Sequence, residues 1–163
     1  MIKKKIVMLG SFAVGKTSLV QRFVNSIFSE KYQTTIGVKI DQKVVTVNKT
    51  DVNLLLWDLH GEDDYQKIKR TYLMGASGCF IVIDGTRKAT FQIANELIET
   101  VVSTIPNSAI VILINKSDLK DEWDISEKDI DSLKNRGYEI IETSAKTNEA
   151  VEMAFIKIAQ LML

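Results

Sequence analysis

Gly10-Ser11-Phe12-Ala13-Val14-Gly15-Lys16-Thr17 decides how the rest of this chain is read. It fits the spacing G-x-x-x-x-G-K-[ST]. It follows a short apolar run at residues 5–9 (KIVML) and precedes a segment in which Val20, Phe23, Val24 and Ile27 share one helical face. Strand, glycine-containing turn and helix, in that order, are the context that gives the spacing chemical meaning. Glycine lets the backbone turn its N–H groups inward, and the helix N-terminus adds positive potential. The expected guest is therefore a phosphate. Lys16 is expected to reach the β- and γ-phosphates of a nucleotide and to serve the chemistry there. The Thr17 hydroxyl is expected to bind Mg²⁺, a hard ion that takes oxygen ligands. Ser11, Phe12, Ala13, Val14, Gly15 and Ser18 complete the predicted nucleotide-contacting set. A glycine-containing turn can match this spacing by chance, and the motif alone does not choose between ATP and GTP.

Length and composition set the frame. The 163 residues, 45% hydrophobic and 26% charged, suit one globular domain with a sizeable core, so residues 1–163 are read as a single domain. Formal net charge is zero, and Lys3-Lys4-Lys5 is too short a basic run to argue for nucleic acid. That triplet reads as the solvated start of a strand. Cys79 is the only cysteine, so no internal disulfide can form, which suits a reducing compartment. It lies in the apolar run GCFIVID and reads as a small buried hydrophobe. The first residues are charged and lead straight into a short apolar run, so they are not read as a signal peptide, and no run approaches the roughly 20 apolar residues that cross a bilayer. A cytoplasmic, soluble domain is expected.

Short apolar runs alternate with helical patterns. Residues 5–9, 54–57 (LLLW), 79–84 (CFIVID), 109–115 (AIVILIN) and 138–142 (YEIIE) read as strands. Four of the five are nearly continuous in apolar residues, as parallel strands covered on both faces are. Residues 39–47 differ. Val38, Ile40 and Val44 alternate with Lys39, Asp41 and Lys43, which predicts an edge strand with one wet face. Asn48, Lys49, Thr50 and Asp51 then form a hairpin turn, making this pair antiparallel. Phe91, Ala94, Ile98, Val101 and Ile105 share a helical face, as do Val151, Phe155, Ile158 and Met162. The predicted fold is α/β, a three-layer sandwich with a mostly parallel six-stranded sheet and one antiparallel edge strand. In such folds ligands sit at the carboxyl ends of the strands.

Two loops at such ends point to guanine. Asn115-Lys116-Ser117-Asp118 leaves the AIVILIN strand and resembles the N-K-x-D motif of GTPases. A carboxylate at Asp118 can accept from both N1–H and the 2-amino group of guanine, and adenine offers neither at that edge. Asn115 is expected to tie this loop to its neighbours, and the aliphatic stem of Lys116 to lie on the base. On its own, NKSD is also a good surface turn. Glu142-Thr143-Ser144-Ala145-Lys146 resembles the E-T-S-A-K of the same proteins, with the Ala145 N–H near guanine O6 and Lys146 covering the base edge. With the phosphate loop, these motifs make the chain similar to the Ras superfamily of small GTPases, nearest in appearance to its Rab branch. The resemblance covers nearly the whole chain.

The resemblance implies further roles. Phe28 falls where an aromatic crosses the guanine ring, although it also reads as a core residue at a helix end. In Tyr32-Gln33-Thr34-Thr35-Ile36-Gly37, similar to the Rab switch I, the Thr35 hydroxyl ligates Mg²⁺ and its N–H meets the γ-phosphate. In Asp58-Leu59-His60-Gly61, similar to D-x-x-G, Asp58 holds Mg²⁺ through a water and the Gly61 N–H donates to the γ-phosphate. Tyr72-Leu73-Met74-Gly75-Ala76 resembles the Rab Y-Y-R-G-A. The implied protein is a GTP/GDP switch with guanine nucleotide and Mg²⁺ as ligands. Effectors, exchange factors and activating proteins are its implied partners, at switch I and switch II.

Three positions depart from the family. Glu62 stands where relatives carry the glutamine that orients the attacking water. Glutamate accepts a water hydrogen but cannot donate, and it adds negative charge beside an anionic phosphate. Phe12 stands where many relatives carry a small residue; its ring either crowds the γ-phosphate or points out of the site. His60, the only histidine, precedes the glycine of D-x-x-G rather than following it. Slow intrinsic hydrolysis is the expectation, with a GTP-binding module of negligible turnover as the alternative. No arginine lies between Phe28 and Gly37, so switch I supplies no finger of its own. No C-terminal cysteine is present of the kind Rab tails carry, so no membrane anchor is read in this chain.

Overall fold

The computed structural model describes residues 1–29, 37–59 and 70–163. Six strands form one sheet: β1 (Ile2–Gly10), β2 (Val38–Val47), β3 (Thr50–Leu59), β4 (Gly78–Asp84), β5 (Ala109–Asn115) and β6 (Glu139–Thr143). Their order is β2-β3-β1-β4-β5-β6, with β2 antiparallel to β3 and every other pair parallel. The helices are α1 (Lys16–Asn25), α2 (Arg70–Leu73), α3 (Lys88–Thr104), α4 (Glu127–Asn135) and α5 (Val151–Leu161), and a 3-10 helix covers Ser117–Glu122. This is the α/β architecture that strand–helix alternation predicts.

The sheet is covered on both faces because its strands alternate. Ile6 and Met8 of β1 join α1 and α5 in one core, around Phe23, Phe80 and Phe155. Val7 and Leu9 join α3 and α4 in the other, around Phe91, Ile98, Ile130 and Leu133. Phe155 stacks on Phe23 at 3.9 Å between ring centroids and meets Phe80 edge-on at 4.9 Å. Cys79 of β4 is fully buried, and burial pushes its thiol up to about 12, so it packs as an apolar residue. From β1 the sheet adds β3 on one side and β4 on the other. The loop leaving β1 therefore opens where the chain's progress across the sheet reverses, the place an open α/β sheet offers a ligand.

The structure corrects the reading of β2. Its apolar Ile40 and Val44 are the wet residues, 53% and 47% exposed. The face with Asp41, Lys43, Val45 and Val47 turns inward, toward α1. Val45 and Val47, both buried, outweigh the alternation upstream, and a strand's period of two then fixes every other residue. Lys43 is accommodated by donating from Nζ to Phe23 O at 2.7 Å, with its ammonium 4.4 Å from the Phe23 ring centroid. The hairpin turn is also tighter than expected. Only Asn48 and Lys49 lie outside the strands, with φ of 51° and 64°, the left-handed pair that a two-residue hairpin needs. α1 stops at Asn25 because Ser26 turns left-handed, φ 56°, leaving Ile27 outside the helix and exposed.

Phe155→Ala should cost about 3–5 kcal/mol, because it removes the ring that Phe23 and Phe80 both pack against. Urea denaturation measures this. A loss below about 1 kcal/mol would mean that the stack is not the centre of this core.

Candidate functional site

Four described loops leave the carboxyl ends of β1, β4, β5 and β6, beside the end of β3, and backbone geometry shapes the first of them. Gly10 has φ 155° and passes so close to Val82 that a Cβ would sit 2.6 Å from its carbonyl oxygen. Gly15 has φ 106°, and a Cβ there would overlap the side chain of Asn115. Ala13 takes a left-handed φ of 62° with no glycine to ease it. α1 begins directly after Gly15, which has no side chain to cap the helix. Lys16 is buried, with Nζ donating to Gly10 O at 2.7 Å and Ser11 O at 3.1 Å. Its ammonium thus lies inside the curve of the loop. Ser11 and Val14 are buried; Phe12, Ala13, Thr17 and Ser18 are half-buried.

Thr17 and Asp58 come together although 41 residues separate them. The Thr17 hydroxyl donates to Asp58 Oδ2 at 2.6 Å, and Asp58 is buried at the end of β3. A hydroxyl and a carboxylate side by side beside a phosphate-type loop are hard oxygen donors of the kind Mg²⁺ takes with one or two protein ligands. The chemistry of this pair fits the ion. Thr35, Gly61, Glu62 and His60 lie outside the described residues.

Asn115 joins the loop after β1 to the loop after β6. Its Nδ2 donates to Val14 O at 3.0 Å, while its Oδ1 accepts from the Thr143 hydroxyl at 3.2 Å and the Ala145 N–H at 3.4 Å. Asp118 accepts from the Ser144 hydroxyl at 2.8 Å, so the two loops read from the sequence share a direct bond. Lys116 is left-handed, φ 71°, and its Nζ reaches Asp84 Oδ2 at 2.7 Å. Lys146 presents its backbone carbonyl to Arg22. Phe28 lies beyond α1, half-buried against the core that α1 and α5 share.

Four residues of this neighbourhood escaped the sequence reading. Asp84, fully buried, accepts from Thr86 N at 2.9 Å, Thr86 Oγ1 at 2.7 Å, Arg87 Nε at 3.0 Å and Lys116 Nζ. Arg87 also donates from Nη2 to Phe12 O at 2.6 Å. Arg22 of α1 holds the loop after β6 by its Ala145 and Lys146 carbonyls, each at 2.8 Å. Trp123 donates to Lys116 O at 2.9 Å and packs so tightly on Gly85 that a Cβ there would overlap the indole. The one signal available was Asp84 closing an apolar strand, where a charge needs a partner.

Burial alone would raise the Asp84 carboxyl, but the Lys116 ammonium and the two Thr86 donors overcome it and hold the group below the ordinary value of 3.8. A lowered folded value contributes stability that is fully present above the ordinary value and is lost as pH falls through the folded one. Acid should therefore destabilise the chain below about pH 4, and Asp84→Asn should flatten that part of the profile while lowering stability at pH 7. Thermal denaturation between pH 2 and 7 tests it, and identical acid limbs in both proteins would contradict it.

Residues 5–163 match the Ras family model. Members of that family bind guanine nucleotide, generally with Mg²⁺, hydrolyse GTP, and engage regulators and effectors. With nearly the whole chain matched, the chain belongs to the Ras family of small GTP-binding switch proteins.

Proposed function

We propose that residues 1–163 form one G domain, a GTP/GDP switch of Rab type whose intrinsic hydrolysis is slow. The observation that carries the site assignment is the Asn115 side chain, which bonds the phosphate loop and the loop after β6 at once. A nucleotide lying along these loops would have its phosphates at residues 11–18 and its base at Asn115, Lys116, Asp118, Ser144, Ala145 and Lys146, with Phe28 against the ring. Lys16 would neutralise the phosphate oxygens. Thr17 and Asp58, with Thr35, would hold Mg²⁺, which when bound draws charge from the β- and γ-phosphates. Gly61 and Thr35 would sense the γ-phosphate. Specificity for guanine follows from Asp118, whose carboxylate would go unpaired against adenine.

The Rab assignment rests on Thr35-Ile36-Gly37 and on Tyr72 through Ala76. Effectors would dock on the switches beside β2, where Ile40 and Val44 already face outward. Slow turnover rests on Glu62 and Phe12. Glu62 also favours a second reading, a GTP-binding interaction module with negligible turnover.

Single-turnover phosphate release separates these readings. We expect GTP to be hydrolysed slowly, and Glu62→Gln to speed it by about tenfold, or about 1.4 kcal/mol of barrier. A rate unchanged by Glu62→Gln and Phe12→Gly, and equal to that of ordinary relatives, would refute slow hydrolysis. GTP persisting intact in the purified protein would establish the module instead.

A further inference from the structure

Arg87 has a place in the site that the family motifs do not give it. Its backbone is fixed first. The Arg87 N–H donates to Asp84 O at 3.0 Å, and the Thr90 hydroxyl donates to Arg87 O at 2.7 Å and accepts from the Asp84 N–H at 3.0 Å. From this rigid turn the guanidinium spans two targets, Asp84 Oδ2 through Nε and Phe12 O through Nη2. A planar fork suits such a bridge, and a single ammonium does not.

Holding the Phe12 carbonyl has a consequence in the next N–H. In a trans peptide the C=O of one residue and the N–H of the next point in opposite directions. No cis peptide occurs among the described residues, so with Phe12 O held by Arg87 the Ala13 N–H points away from Arg87. The same logic applies at Val14, whose carbonyl is held by Asn115 and whose partner N–H belongs to Gly15. Ala13 is left-handed at φ 62°, a conformation an L-residue keeps only when its surroundings impose it. The Arg87 bond is one such restraint.

We infer that Arg87 is a positioning residue, which orients the Phe12–Ala13 peptide so that the Ala13 N–H is presented to the β-phosphate side of the bound nucleotide. The inference rests on reading residues 10–17 as the phosphate site. Asp84 anchors Arg87 on one side and Lys116 on the other, so the phosphate loop and the base-side loop share one buried carboxylate.

The test compares GDP with GMP, which lacks the β-phosphate. Both affinities are measured by displacement of a fluorescent GDP analogue from the wild-type chain, Arg87→Met and Arg87→Lys, with thermal denaturation alongside. Arg87→Met should weaken GDP about tenfold, as expected for one charge-assisted hydrogen bond, and leave GMP nearly unchanged. Arg87→Lys keeps a positive charge beside Asp84 and should restore thermal stability, yet it should retain most of the selective loss for GDP. Equal losses for GDP and GMP, or wild-type GDP affinity in both variants, would overturn the inference. A wild-type chain that binds neither nucleotide would instead overturn the guanine-nucleotide site itself.

Discussion

The geometry of the site turns on one amide side chain. Asn115 ends β5, is almost wholly buried, and spends both ends of its amide on neighbouring loops. Its reach to Val14 O brings it so close that residue 15 has no room for a Cβ. Gly15 is therefore demanded twice, by its own φ and by its neighbour. The parallel register makes this possible. Asn115 pairs with Asp84 on one side and Thr143 on the other, so three strand ends arrive level and their loops begin at the same height.

A second constraint is electrostatic. Asp84 is a carboxylate with no exposed surface, which is costly unless donors surround it. Four donors do so, two from Thr86 and one each from Arg87 and Lys116. Each cation is only partly buried, so each keeps some water while sharing one anion. The exposed pairs elsewhere, such as Arg136 with Glu99, do not carry such weight, because water screens them. Asp84 therefore ties the turn after β4 to the loop after β5 through one buried anion.

Much of this was legible in the sequence, for identifiable reasons. The apolar runs of β1, β4 and β5 were nearly unbroken, and their positions required no knowledge of partners. The candidate loops were legible as loops because glycine spacing and strand ends coincide there. β2 was not, because its upstream alternation and its buried Val45 and Val47 imply opposite faces, and only the position of α1 decides between them. Ile27 was read one turn too far, since nothing in Ser26 announces a left-handed stop. Arg22, Asp84, Arg87 and Trp123 escaped because each acts through contacts far apart in sequence, such as Arg22 with Ala145. Side-chain bridges of that kind have no local pattern.

Cys79 gives the protein an internal clock for its own opening. It is the sole thiol in 163 residues, sits in a central strand, and is fully buried with its ionisation suppressed. The thiolate that would react with a disulfide reagent is scarce, and the sulfur is out of reach while β4 stays paired with β1 and β5. Modification must then wait for the sheet to part, so its rate counts unfolding events rather than surface encounters. A nucleotide that stabilises the folded chain would slow that count in proportion to its grip.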